Sequence, residues 1–100
     1  MSDLTIAKTI LSQLGGNRFI AMTGAKNFVG SEKGLFFKIG RNSTRINLIK
    51  IEYNYGKDLY EMTFIYCAKG ILKEIKKFED VYAEDLQIIF TEVTGLYTHL

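Results

Sequence analysis

Residues 46–78 read INLIKIEYNYGKDLYEMTFIYCAKGILKEIKKF, and this stretch decides the fold. Within it Tyr60, Met62, Phe64 and Tyr66 alternate with Glu61, Thr63 and Ile65. Successive side chains of a strand point to opposite faces, so a period of two gathers the aromatic set on one face. A strand is expected over Leu59 to Ala68. Before it, Ile46 to Tyr53 is rich in isoleucine, whose branched Cβ suits a pleated strand. Asn54-Tyr55-Gly56-Lys57-Asp58 between the two has the composition and length of a hairpin loop. After it, Lys69-Gly70 turns the chain into Ile71 to Phe78. That segment reads as a fifth strand with a polar face of Lys73, Lys76 and Lys77, and it also admits a helical start.

Outward from this centre the pattern is mixed. Leu35-Phe36-Phe37-Lys38-Ile39 reads as a strand that closes on a turn at Gly40-Arg41-Asn42-Ser43. Gly24 to Gly34 is polar and glycine-punctuated, a loop with Phe28-Val29 as its apolar anchor. Arg18 to Thr23 is a short apolar run and reads as a buried strand. Leu4, Ala7, Ile10, Leu11 and Leu14 recur at helical spacing, with Ser2 or Asp3 to cap the helix and Gly15-Gly16 to stop it. Tyr82, Leu86, Ile89, Phe90 and Val93 form a second helical stripe that Gly95 ends. Asp80, Glu84 and Asp85 stand near its start, where the helix dipole favours carboxylates. Strands joined by short turns run antiparallel. The expected fold is therefore one α+β domain over residues 1–100: an N-terminal helix, an antiparallel meander of four or five strands, and a C-terminal helix packed on one sheet face.

Composition narrows the function classes. The chain has 100 residues, 47% hydrophobic and 24% charged, which is ordinary for a globular domain. Its one cysteine, Cys67, excludes an internal disulfide and a site of several thiolates, and fits a reducing compartment. Met1-Ser2-Asp3-Leu4 does not open a signal peptide. No apolar stretch approaches the roughly 18 residues of a membrane span. A cytoplasmic protein with no membrane partner, no cofactor and no metal is expected. His99, near the chain end, lacks the fixed geometry of a general base. Cys67 reads as a small buried hydrophobe. Thr23-Gly24-Ala25-Lys26-Asn27 lacks the spacing of a phosphate loop. With no catalytic constellation, the expectation is a binding protein and not an enzyme.

Charge says what it would bind. Residues 1–51 carry eight Lys or Arg against two acids, and residues 52–100 carry five against nine. Arg18, Lys26, Lys38, Arg41, Arg45 and Lys50, with Phe36, Tyr53 or Tyr55 as stacking rings, suit single-stranded nucleic acid. Glu79, Asp80, Glu84, Asp85 and Glu92 allow a second reading, in which an acidic segment imitates phosphates and inhibits a host protein. The tyrosine content and the free edges of a meander point to a homodimer or an oligomeric structural component.

Two segments, Leu14 to Phe28 (LGGNRFIAMTGAKNF) and Asp85 to Thr98 (DLQIIFTEVTGLYT), with Asp58-Leu59-Tyr60 between them, resemble small uncharacterised proteins of tailed bacteriophages and prophages. The resemblance implies a phage or mobile-element origin and a place in the cytoplasm of the bacterial host. It implies no activity. Four strands followed by an amphipathic helix also look like the PC4-type single-strand DNA-binding fold, whose curved sheet holds nucleic acid. The N-terminal helix and the segment 24–34 depart from that pattern.

Overall fold

The computed structural model describes residues 5–40 and 45–96. Helix α1 (Thr5–Leu14) and helix α2 (Gly16–Thr23) come first. Strands β1 (Lys26–Gly30), β2 (Gly34–Lys38), β3 (Leu48–Asn54), β4 (Leu59–Ala68) and β5 (Ile71–Val81) follow. A 3-10 turn (Ala83–Asp85) then leads into helix α3 (Leu86–Thr94). All five strands lie in one antiparallel sheet in chain order, so the α+β meander between two helical ends is as expected.

Two local expectations are corrected. Arg18 to Thr23 lies in α2 and is not a strand. A short apolar run cannot separate strand from helix, and here burial decides it. Phe19 and Thr23, one turn apart, are buried while Ala21 between them is exposed. The Thr23 hydroxyl donates to the Phe19 carbonyl at 2.8 Å, and Gly24 closes the helix at φ 69°. Gly15, at φ 125°, makes the sharp break that lets one helix follow another. The second correction concerns residues 24–34, expected as a loop, which contain β1.

The sheet has one covered face and one open face. On the covered face Leu35, Phe37, Ile49, Ile51, Met62 and Phe64 are buried beneath the helices. Ala7, Ile10 and Leu14 of α1 and Leu86 and Phe90 of α3 are buried against them, as their helical spacing requires. Ile89 is half-buried, Tyr82 is exposed instead of joining the stripe, and the expected core residue Leu4 lies outside the described residues. Phe19 sits at the junction. Its ring meets Phe37 of β2 at 5.5 Å and Phe90 of α3 at 5.1 Å, both edge-on.

Each sheet edge is interrupted. Tyr60 pairs with Val81 and Met62 with Phe78, so β5 holds one extra residue there, with Asp80 at φ 56°. A second extra residue falls where Phe64 pairs with Lys76 and Ile65 with Glu74. At the opposite edge β1 is short and carries its own bulge, with Asn27 at φ 57°. Bulges and lysines on edge strands discourage pairing with another sheet.

Asn47 extends the ladder with its side chain. Its Nδ2 donates to the Cys67 carbonyl at 2.7 Å, and its Oδ1 accepts from the Cys67 N–H at 2.8 Å. The carboxamide thus takes the place of a peptide unit. Cys67 is half-buried and not fully enclosed as expected. Beyond it, residues 69–73 at the tip of the β4–β5 hairpin are exposed.

Removing the junction ring should cost the most. Phe19→Ala is expected to destabilise the fold by about 3–5 kcal/mol, since it empties a cavity between three elements. Phe36→Ala, on the open face, should cost markedly less. Urea unfolding midpoints of the two variants check the contrast.

Candidate nucleic-acid interface

The register places the open face in rows. Lys26 of β1, Lys38 of β2, Leu48 of β3, Ile65 of β4 and Glu74 of β5 form one row. Val29, Phe36, Lys50, Thr63 and Lys77 form the next. Gly34, Glu52 and Glu61 form a third. Strand partners share a face, so the lysines of these rows stand on the side the helices leave bare.

Lys26 and Lys38 are directly opposed, an arrangement of like charges that weakens a sheet. Both are exposed, and no described acid lies within ion-pairing distance of either. Arg45, exposed in the segment leading into β3, is at the same end of the sheet. One row in, the Lys50 ammonium lies 5.6 Å above the centre of the Phe36 ring and pairs with Glu52 at 3.2 Å. Lys26, Lys38 and Lys50 therefore share one corner of the open face around half-buried Phe36, and Arg45 stands three residues before Leu48 of the first row.

The other expected residues are elsewhere. Arg18 is exposed on α2, in the helical layer on the opposite side of the sheet. Arg41 lies outside the described residues. Tyr53 is on the covered face at the far end of β3, with its ring 5.3 Å from Tyr60 and 5.0 Å from Tyr55. Five residues separate it from Leu48 beside Lys38, roughly 17 Å along the strand. Tyr55 is tied further out, its hydroxyl donating to the Glu32 carbonyl at 3.0 Å. Neither tyrosine can stack a base held by Lys26 and Lys38.

The meander sorts charge by the ends of the strands. At the end that carries Lys26, Lys38 and Arg45, the β4–β5 turn adds Lys69 and Lys73, and Glu74 is the acid nearby. The charge count along the chain does not include Lys69 and Lys73 in the basic set, because they follow its basic half. The signal was present in the Lys69-Gly70 turn, which returns the chain to the end where β2 finishes. The opposite end holds Glu32, Glu52, Asp58, Glu61, Glu79 and Asp80, with Glu84 and Asp85 on the 3-10 turn. Its bases are engaged: Lys33 with Glu52 at 3.8 Å, Lys57 with Asp80 at 3.0 Å, and Lys77 with Glu61 at 4.0 Å and Glu79 at 3.8 Å. The hydrogen bond to Asp80, aided by its charge, raises the Lys57 pKa.

Among the described residues, no three His, Cys, Asp or Glu side chains are placed to hold a metal ion. No helix there is long and apolar enough to cross a membrane.

The acidic end has its own signature. Tyr53 donates to the Asp58 carboxylate, and that bond, then desolvation, then the Asp58 charge push its pKa up to about 12. Burial, then Asp58, also raises Tyr60. A phenol whose folded pKa exceeds its unfolded value stabilises the fold fully below the unfolded pKa. That contribution disappears as pH rises through the folded value, here between 10 and about 12. Tyr53→Phe should remove one late-ionising phenol from the near-ultraviolet titration and flatten the loss of stability across that window. Comparison with known protein families, curated proteins and solved structures finds no match to this chain.

Proposed function

We propose that the protein binds nucleic acid, single strands in particular, through the basic corner of its open sheet face. The observation that carries this reading is the opposed, unpaired Lys26 and Lys38, one row from Phe36 on the open face. Like charges held together at a cost to the sheet are relieved when phosphates lie between them. Phe36, next to them and not covered by a helix, replaces Tyr53 and Tyr55 as the stacking ring. Lys50 above Phe36 would move to a phosphate as a base takes its place. The resemblance of Leu14 to Phe28 and Asp85 to Thr98 to phage and prophage proteins supports a role in a mobile element acting in a bacterial cytoplasm.

Fluorescence anisotropy with labelled single-stranded oligonucleotides at several salt concentrations tests the proposal. With three or four phosphates contacted, log K should fall with log salt at about −0.7 per contact. Lys26→Glu with Lys38→Glu should weaken binding to all sequences and reduce that slope. Phe36→Ala should cost about 1–3 kcal/mol of affinity with the slope unchanged. Tyr55→Ala should leave binding intact. Folded protein that binds no oligonucleotide at low salt would refute the reading, and a loss on Tyr55→Ala would move the site to the other end of the sheet.

A further inference from the structure

The two ends of the sheet are complementary to each other. They stand about 30 Å apart along β4, at roughly 3.3 Å per residue. At the basic end the free hairpin tip projects Ile71 and Leu72, 64% and 66% exposed, between exposed Lys69 and Lys73. No described element covers these aliphatic side chains. At the acidic end, Tyr55 is 64% exposed and separates two hollows. One, of about 340 Å³, is lined by Glu52, Tyr53, Tyr55 and Glu61, with Lys33 held by Glu52. The other, of about 370 Å³, lies between Glu32, Lys33 and Tyr55.

We infer that copies of this chain associate head to tail, the hairpin tip of one docking against the tyrosine-lined acidic end of the next. Charge selects this occupant. Lys69 and Lys73 of one copy would approach the net negative charge around Glu32 of another, where Glu52 and Glu61 already pair with Lys33, Lys50 and Lys77, and the apolar tip would cover Tyr55. The alternative of joining sheets edge to edge is opposed by the two bulges in β5 and the bulge in short β1. A contact between two different surfaces leaves a free tip and a free acidic end on every pair. It therefore propagates into a ring or an open chain and does not stop at a two-fold dimer. The docking surface is small, so each contact belongs to the weak class of interfaces. The contact shares Lys69 and Lys73 with the basic end but does not use Lys26, Lys38 or Phe36, so Lys26→Glu with Lys38→Glu separates nucleic-acid binding from assembly.

The experiment is sedimentation velocity on the full chain over a concentration series reaching on the order of a millimolar, as weak contacts require. The wild type should form species larger than a dimer, and added salt should dissolve them. A tip variant, Lys69→Glu with Leu72→Ser, and an end variant, Glu32→Lys with Tyr55→Ser, should each sediment as monomers. Thermal unfolding of the tip variant should match the wild type, since its changed side chains are exposed, and the end variant, which gives up the Tyr55 contacts with Tyr53 and the Glu32 carbonyl, should still unfold in one cooperative step. Mixed in equal amounts, the two variants should give mainly a one-to-one dimer, because the intact tip of one fits the intact end of the other, while the altered tip and end have lost Leu72 and Tyr55, the apolar side chains that would meet. A wild type that stays monomeric, or that stops at a dimer, would overturn the inference. So would variants that assemble as the wild type does, or a mixture that stays monomeric.

Discussion

The Phe19 ring holds the two layers together. It belongs to a helix of eight residues, too short to persist alone in water. It touches Phe37 in the sheet and Phe90 in α3, so α2 is fixed by a tertiary contact and not by its own propensity. The edge-on geometry of both pairs puts the positive rim of one ring against the negative face of another, which fixes orientation as well as distance. Through this junction the helices are committed to one side of the sheet. The other side is left to solvent, and the rows of lysine and glutamate are displayed there. The open, charged surface is thus a consequence of where one aromatic side chain finds its partners.

Topology converts a charge bias in sequence into a charge separation in space. An antiparallel meander returns the chain to the same end at every second turn. The basic residues that close β2 and open β1 are joined there by lysines from the β4–β5 turn, although these come from the acidic half of the sequence. The acids of the β3–β4 loop and of the exit from β5 collect at the other end. A count along the chain finds the asymmetry but assigns Lys69 and Lys73 to the wrong side. The resulting field has an axis, lying along the strands, and a charged partner would be oriented by it before contact.

Much of the fold was legible because the residues carrying it obey one period each. Leu59 to Ala68 keeps its aromatic and Met residues on one parity from Tyr60 through Tyr66, and its strand bounds match. The stripes of α1 and α3 follow from the same logic. Arg18 to Thr23 failed because four successive apolar residues fit any period, and a neighbouring ring determined the outcome. The strand β1 was hidden by lysine, asparagine and glycine in a five-residue segment that burial hardly touches. The candidate site was legible in residue type but not in arrangement. Residue type identified Lys26, Lys38, Arg45 and Lys50, but their company depended on register. The alternation Ile49-Lys50-Ile51-Glu52-Tyr53 already puts Tyr53 on the apolar face of β3, away from Lys50, a signal that choosing rings by type alone overlooks. Asn47 was invisible for another reason: its role replaces a backbone group, and composition carries no trace of such a substitution.

The order of the elements also has a consequence for how the chain is made. Each strand pairs with the one before it, so the sheet can grow by hairpins as residues emerge. Phe90, which completes the cover over Phe19, lies in α3, the last element in chain order. During synthesis, the apolar floor built by Phe37, Ile49, Ile51, Met62 and Phe64 must therefore wait, partly bare, for residues 86–94. Over that interval the nascent protein is a sticky sheet sheltered by α1 and α2 alone. Its yield in a cell then depends on how quickly the ribosome delivers the last helix and on whether a chaperone guards the floor in the meantime.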